Sequence, residues 1–254
     1  MIDVGNFVTR KSHNHDIIFK VIEINEKVAI LEGYIKRLMA DSNIDDLVCI
    51  DKTALEEIEK KAMKRVDGVT KLSRFKMHLP GKILHIDGDK FYLDKCLALY
   101  NELGLPAYGI YMSEKDIKKH ILDFIDEINP DVIILTGHDS YNKKGIKDIN
   151  NYRNTYDYVE AVKLVRKHYS KDHIFIFAGA CQSNFEALIA AGANFASSPK
   201  RVNIDAFDPA IVAIKAATTS FTDIIAIDDI KDLLDSKKDG ISGIESYGKL
   251  RLFV

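Results

Sequence analysis

The sequence predicts an α/β protein: a doubly wound, mostly parallel sheet preceded by a small SH3-like or OB-like β-barrel. Three observations predict it. Two aliphatic runs, Asp131-Val-Ile-Ile-Leu-Thr-Gly-His138 and His173-Ile-Phe-Ile-Phe-Ala-Gly-Ala-Cys181, are almost continuously apolar, as strands covered by helices on both faces are. From Pro80 onward, strand-like runs alternate with helix-like ones, the pattern of repeated βα units. Before residue 53 the chain instead offers short strands separated by Asn, Asp and Gly turns.

Residues 1–52 contain Phe7-Val-Thr-Arg, Ile17-Ile-Phe-Lys-Val-Ile-Glu-Ile, Lys27-Val-Ala-Ile-Leu and Leu47-Val-Cys-Ile, enough strands for the barrel domain. Such a barrel serves as a nucleic-acid or peptide adaptor, or as a docking or autoinhibitory module. The second role is favoured, because the aromatic platform on which nucleic-acid readers stack bases is missing. Residues 53–79 read as a basic helical linker, with a charged helix over Ala54–Arg65 and a cluster of Lys60, Lys61, Lys64, Arg65, Lys71, Arg74 and Lys76. A charge run of this kind is ordinarily a solvated face.

Residues 80–254 form the α/β domain. Strand Lys82-Ile-Leu-His-Ile-Asp leads to a helix around 89–103 closed by Gly104, and strand Ala107-Tyr-Gly-Ile-Tyr-Met to a helix around 114–128 closed by Pro130. The His138 strand runs through a polar loop to a helix around 155–169. The Cys181 strand leads directly into helix Asn184-Phe-Glu-Ala-Leu-Ile-Ala-Ala, capped by Gly192. A short strand Asn194-Phe-Ala-Ser and a helix over 209–218 follow, and Ile224-Ile-Ala-Ile and Lys249-Leu-Arg-Leu-Phe are expected to add edge strands.

The bulk properties narrow the function classes. With 46% hydrophobic and 29% charged residues the 254-residue chain is globular, and 36 basic against 38 acidic residues give no general attraction to nucleic acid. Cys49, Cys96 and Cys181 are an odd, widely spaced set, which suits a reducing compartment. The N-terminus lacks a basic and apolar leader pattern, and no apolar run is long enough to span a bilayer. A cytoplasmic protein without a membrane partner is expected.

In an open α/β sheet, ligands bind outside the carboxyl ends of the strands, where His138 and Cys181 fall. Neighbouring strands lie about 4.8 Å apart, so pairing of these two would bring a thiol and an imidazole together. Cys181 has small neighbours, Gly179 and Ala180, and a helix start just after it. The helix dipole there would favour a thiolate, and backbone N–H groups would hold an oxyanion. Cys49 and Cys96 lie inside apolar patterns and are read as small buried hydrophobes. His138 suits proton transfer to a leaving amine, with Asp139 as a possible orienting acid. The pair suggests a thiol peptidase.

The same residues carry a resemblance. An aliphatic strand ending in His and a second ending in Ala-Cys are similar to the caspase–gingipain–legumain group of cysteine peptidases. That group has Gly after the His; this chain has Asp139 there and Gly137 before it. A closer resemblance, over essentially the whole chain, is to the YabG family of sporulation-specific cysteine peptidases. It rests on Phe7-Val-Thr-Arg-Lys-Ser, Leu84-His-Ile-Asp-Gly-Asp, Thr136-Gly-His-Asp, Asn150-Asn-Tyr-Arg-Asn, Phe177-Ala-Gly-Ala-Cys-Gln-Ser and Ala191-Gly-Ala-Asn-Phe-Ala-Ser-Ser-Pro-Lys-Arg-Val-Asn-Ile. The resemblance implies a caspase-like sheet, His138 and Cys181 as catalytic pair, no cofactor, and cleavage after arginine in spore coat and cortex-associated proteins. It also implies work inside the mother cell or developing spore.

Beside it stand the oxyanion and orienting candidates Gly137 and Asp139 and the substrate-cleft candidates Asp87, Asp89, Ser197, Ser198, Lys200 and Arg201. Arginine selectivity needs a carboxylate, and Asp87, Asp89, Asp139, Glu186, Asp205 and Asp208 all qualify. Arg65 and Arg74 in the basic linker are expected self-cleavage points. Two other readings remain open. One is a non-catalytic flavodoxin- or receiver-like domain, with Asp87 and Asp89 holding Mg²⁺ or a phosphoryl group and Lys200 nearby. The other is a nucleic-acid binder working through the barrel and linker.

Overall fold

The computed structural model describes residues 2–67 and 78–252. The chain divides into two compact units, Met1–Lys64 and Arg65–Val254, so the division falls inside the segment the sequence assigns to a linker.

The first unit holds strands β1 (Phe7–Arg10), β2 (Phe19–Asn25), β3 (Val28–Gly33), β4 (Met39–Asn43) and β5 (Leu47–Cys49), and most of helix α1 (Lys52–Asp67). The strands form one antiparallel sheet in the order β4-β3-β2-β1-β5, with β1 between β2 and the last strand, as in a small SH3-like barrel. The period-2 alternation turns Val8, Phe19, Val21, Ala29, Leu31 and Leu47 into a shared core. A bulge between Val21 and Glu23 shifts the register of β2 against β3. Strand β4, Met-Ala-Asp-Ser-Asn, buries nothing fully, so it carries no hydrophobic signal in the sequence. Cys49 corrects an expectation: it is exposed, because the three-residue edge strand turns only Leu47 inward.

In the second unit the elements are β6 (His78–Leu79), β7 (Ile83–Asp87), α2 (Lys90–Glu102), β8 (Ala107–Tyr111), α3 (Glu114–Ile128), β9 (Val132–Thr136), α4 (Thr155–His168), β10 (Phe175–Ala178), α5 (Phe185–Ala191) and β11 (Phe195–Ser197). There follow α6 (Asp208–Thr218), β12 (Ile224–Ile225), α7 (Lys237–Gly240), β13 (Ile241–Gly243), β14 (Ser246–Tyr247) and β15 (Arg251–Leu252). The main sheet runs β13-β11-β10-β9-β7-β8 and is parallel except for β13. Strands β7, β9 and β10 are buried at every position, which explains the apolar runs of β9 and β10; in β7 the buried His85 interrupts the run and bonds to Tyr100 Oη at 2.9 Å.

Helices α3, α4 and α5 bury Ile117, Ile121, Ile125, Tyr158, Val162, Val165 and Leu188 in one core with the strands. Helix α6 is apolar nearly all round and correspondingly buried. The expected edge strands are corrected. Ile224–Ile225 pairs with Ser246–Tyr247, and Arg251–Leu252 with His78–Leu79, each as a separate two-stranded ribbon. The strand that joins the main sheet is Ile241–Gly243, antiparallel to β11. No helix among the described residues is long and apolar enough to cross a membrane.

Candidate active site

Strand order reverses between β7 and β9: the chain goes from β7 outward to β8, then crosses back to β9, β10 and β11 on the other side. That reversal opens a crevice at the carboxyl ends of the strands. Asp87-Gly-Asp89 ends β7, Gly137-His138 ends β9, and Cys181 follows β10. Strands β9 and β10 pair in parallel with Ala178 opposite Leu135, and the Gly179 N–H continues the ladder to the Leu135 carbonyl at 2.9 Å. The two residues singled out in the sequence thus leave the sheet from adjacent strands.

His138 is held from three sides. Its Nε2 lies 2.9 Å from Asp89 Oδ2, its backbone N–H donates to Glu114 Oε1 at 2.8 Å, and its carbonyl accepts from Asn154 Nδ2 at 2.8 Å. Asp89 caps α2 through Oδ1, which accepts the Phe91 and Tyr92 N–H groups, so Oδ2 is the oxygen that meets the imidazole. Burial of Asp89 opposes its ionised form. The His138 hydrogen bond and charge and the Tyr92 N–H outweigh that burial and hold the carboxyl below its ordinary value. Gly137 has φ +150°, and a Cβ there would stand 2.4 Å from Glu114 Oε1 and 2.8 Å from the Gly88 nitrogen. Only a glycine lets the two strand ends approach this closely.

The sequence placed Asp139 as an orienting acid; the structure puts Asp89 on the ring instead. Asp139 is buried and accepts from the Ser140 and Asn154 N–H groups, both at 2.8 Å, from Ser183 Oγ at 2.7 Å and from Thr155 Oγ1. Burial pushes its carboxyl up despite these four donors. It ties the end of β9 to the start of α4 and to the turn that carries the cysteine.

That turn, 180–183, is tightly specified. Ser183 Oγ accepts the Ala180 N–H at 2.9 Å, and Ser197 Oγ donates to the Ala180 carbonyl at 2.7 Å. Gln182 adopts a left-handed φ of 59°, and its side-chain amide accepts from the Tyr141 N–H and donates to Asn203 Oδ1. Gly179, at φ +106°, has no room for a Cβ, which would fall 2.6 Å from Ser197 Oγ. Helix α5 starts at Phe185 with Asn184 as its cap, so Cys181 lies in the turn ahead of the helix and not at the helix N-terminus. The dipole fades within the first turn, and the thiol is served instead by the Ile204 N–H, 3.4 Å from Sγ. Cys181 is 6% exposed.

The other sequence candidates separate. Asp87 is fully buried, accepts the Asp89 N–H at 2.9 Å and lies 3.5 Å from His85 Nε2, so the acids of the receiver-like reading face internal partners. Ser197 and Ser198 are buried and bond to backbone carbonyls, which makes them supports of the cysteine turn. Lys200 is exposed. Arg201 bonds to Tyr152 Oη and pairs with Glu186, lining a cavity of about 470 Å³ with Ile146, Lys147, Asn184 and Ala187. Arg65 lies in the helical span of α1 with its guanidinium 3.1 Å from Asp205 Oδ1, and Arg74 lies outside the described residues. Sequence reasoning missed Glu114 altogether. Every helix after a parallel strand starts at this same edge, and Glu114, first in α3, was legible by that rule.

Comparison with known proteins matches the chain almost end to end. Residues 3–254 match the family described as YabG peptidase U57. The chain is 40% identical over 279 aligned positions, 98% of its own length and 96% of the other's, to the sporulation-specific protease YabG of Bacillus subtilis (strain 168).

Proposed function

The chain belongs to the YabG peptidase U57 family, and from that premise we propose that it is a sporulation cysteine endopeptidase working through Cys181 and His138. The observation that carries this reading is the exit of the two residues from adjacent, parallel, hydrogen-bonded strands at the crevice of the sheet. Cys181 Sγ attacks the scissile carbonyl and forms a thioester as the C–N bond breaks. The His138 imidazolium gives its proton to the departing amine, then takes one from the water that hydrolyses the thioester and regenerates the thiolate.

Asp89, bonded to Nε2, fixes the ring and offsets its positive charge, leaving Nδ1 as the nitrogen that exchanges protons with the reactants. The oxyanion is assigned to the Cys181 N–H and to an N–H of the Gly137–Asp139 turn. The His138 N–H is already bonded to Glu114, so Gly137 or Asp139 is the donor.

The substrates in this reading are spore coat and cortex-associated proteins, cut after arginine within the mother cell or developing spore. The relative's name and the family resemblance support the setting. Self-cleavage after Arg65 or Arg74 belongs to the same reading. For Arg65 it requires the last turn of α1 to unwind, because a helical peptide bond is not presented in extended form. Intact masses of wild type and Cys181→Ala after incubation test this, and a wild type that keeps its full-length mass as the variant does would sink it.

The central test is labelling by an arginyl chloromethylketone. Wild type should be alkylated at Cys181 and Cys181→Ala should not, with peptide hydrolysis falling at least about 10⁴-fold in the variant. Hydrolysis that survives in Cys181→Ala would overturn the assignment.

A further inference from the structure

The segment that follows β11 carries two buried carboxylates, Asp205 in the loop and Asp208 as the first residue of α6. Asp205 is 1% and Asp208 0% exposed. Asp205 Oδ1 accepts the Phe207 N–H at 2.9 Å, and Asp208 accepts the Asp235 and Ser236 N–H groups at 3.0 and 3.1 Å and the Ser236 hydroxyl. Burial, and then the neighbouring Asp205 charge, push the Asp208 carboxyl up to about 6. Two buried like charges require a cation.

Among the described residues Arg65 supplies one. One amino group lies 3.1 Å from Asp205, while the other stays 3.8 Å from Asp208 and 3.9 Å from Asp235. That second nitrogen is buried and makes no hydrogen bond. The guanidinium therefore does not complete the two-pronged contact that an arginine can make with paired acids. The fit is that of an occupant a better-placed guanidinium can displace.

The location matters as much as the charge. The Ile204 N–H touches the Cys181 sulfur at 3.4 Å, and Asp205 is the next residue. Consecutive Cα atoms lie about 3.8 Å apart, so an arginine whose carbonyl sits at the thiol has the reach to place its guanidinium at Asp205.

Resting on the proposed cleavage after arginine, we infer that Asp205 and Asp208 form the pocket for the substrate's arginine side chain, and that Arg65 occupies this pocket as a built-in competitor. Of the six acids the sequence left open, Asp205 follows the residue that touches the thiol and already bonds a guanidinium, with Asp208 3.8 Å from the same group. Asp89 and Asp139 are committed to His138 and to the turns, Asp87 to the buried Asp89 N–H, and Glu186 to Arg201.

The experiment uses the full-length protein and two fluorogenic peptides that differ only in arginine or its neutral isostere citrulline before the scissile bond. Wild type, Asp205→Asn, Arg65→Ala and the double variant are compared, with thermal melting as the folding control. Wild type should favour the arginyl peptide by about a hundredfold or more in kcat/KM, and Asp205→Asn should erase the preference. Arg65→Ala should lower KM for the arginyl peptide about tenfold, as removal of a competitor from a mostly occupied site does, and should have no such effect in the Asp205→Asn background. A purely structural ion pair predicts instead a lower melting temperature with no fall in KM.

Arginyl preference retained in Asp205→Asn would overturn the pocket and leave the arginine reading intact. No arginyl preference in wild type would overturn that reading and the pocket with it. An unchanged or higher KM in Arg65→Ala would overturn the competitor, and decides the matter alone if Asp205→Asn does not fold.

Discussion

Asp139 and Asp205 are both almost fully buried at the same edge of the sheet, on either side of Cys181, yet they are satisfied in opposite ways. Asp139 receives four neutral donors supplied by Ser140, Asn154, Thr155 and Ser183. Asp205 accepts the neighbouring Phe207 N–H and pairs with a guanidinium from 140 residues earlier in the chain. The first arrangement is built into the backbone of two turns and one helix start, and nothing in solution competes for it. The second depends on a side chain that a free cation of the same shape can replace. In the inference drawn above, Asp139 serves architecture and Asp205, closed by a distant arginine, serves recognition.

The largest effect expected from this contrast is on stability. Asp139→Ala leaves four donors facing a cavity and should cost about 3–4 kcal/mol, read as a lower urea midpoint with unchanged slope. A loss below about 1 kcal/mol would show that the four contacts are not what holds the turns together.

Next in size is Asp89→Asn, which should lower kcat about a hundredfold with KM nearly constant, because Asp89 touches the imidazole and not the substrate. A change confined to KM would move Asp89 out of the catalytic group.

The smallest effect is in pH dependence and sharpens the Asp205 side. Asp208 faces Asp205, Arg65 and Asp235, and its carboxyl titrates at about 6. In Arg65→Ala, where no resident arginine competes, KM for the arginyl peptide should rise about tenfold from pH 7 to pH 5 as Asp208 takes up its proton. The sign for stability runs the other way. The folded protein binds this proton more tightly than the unfolded chain, so the contribution of Asp208 to stability falls as pH rises from the ordinary carboxylate range to 6. A flat KM profile would remove Asp208 from the pocket.

What the sequence made legible follows from how local each signal is. Helix α3 is found at its actual limits, because Ser113 precedes it and Asn129-Pro130 ends it. The fully buried β9 and β10 announce themselves by apolar runs, and His138 and Cys181 by their position just past the ends of these two strands. Strand β13 is three residues long between glycines, and β4 is polar, so neither has a period to read. The partner of His138 lies 49 residues away and was replaced in the sequence reading by its immediate neighbour, Asp139. Adjacent residues leave a strand end in different directions, a fact of backbone geometry that spacing alone does not convey. Arg65 and Asp205 meet only because the chain folds.

The turn at 180–183 has a further consequence for how this sequence can change over time. Gln182 sits in a conformation that costs a non-glycine residue on the order of 1–3 kcal/mol, and its amide is clamped to Tyr141 on one side and Asn203 on the other. A residue gained or lost there would break both clamps and displace the thiol. The polar stretch 142–148 is exposed throughout, and beyond Asn142 its ties to Tyr141, Asn151, Tyr152 and Asn184 gather at Gly145 and Ile146, which leaves the positions around them open to change. Differences in length among relatives should therefore accumulate along that stretch, within a short distance in sequence of a turn whose length cannot vary.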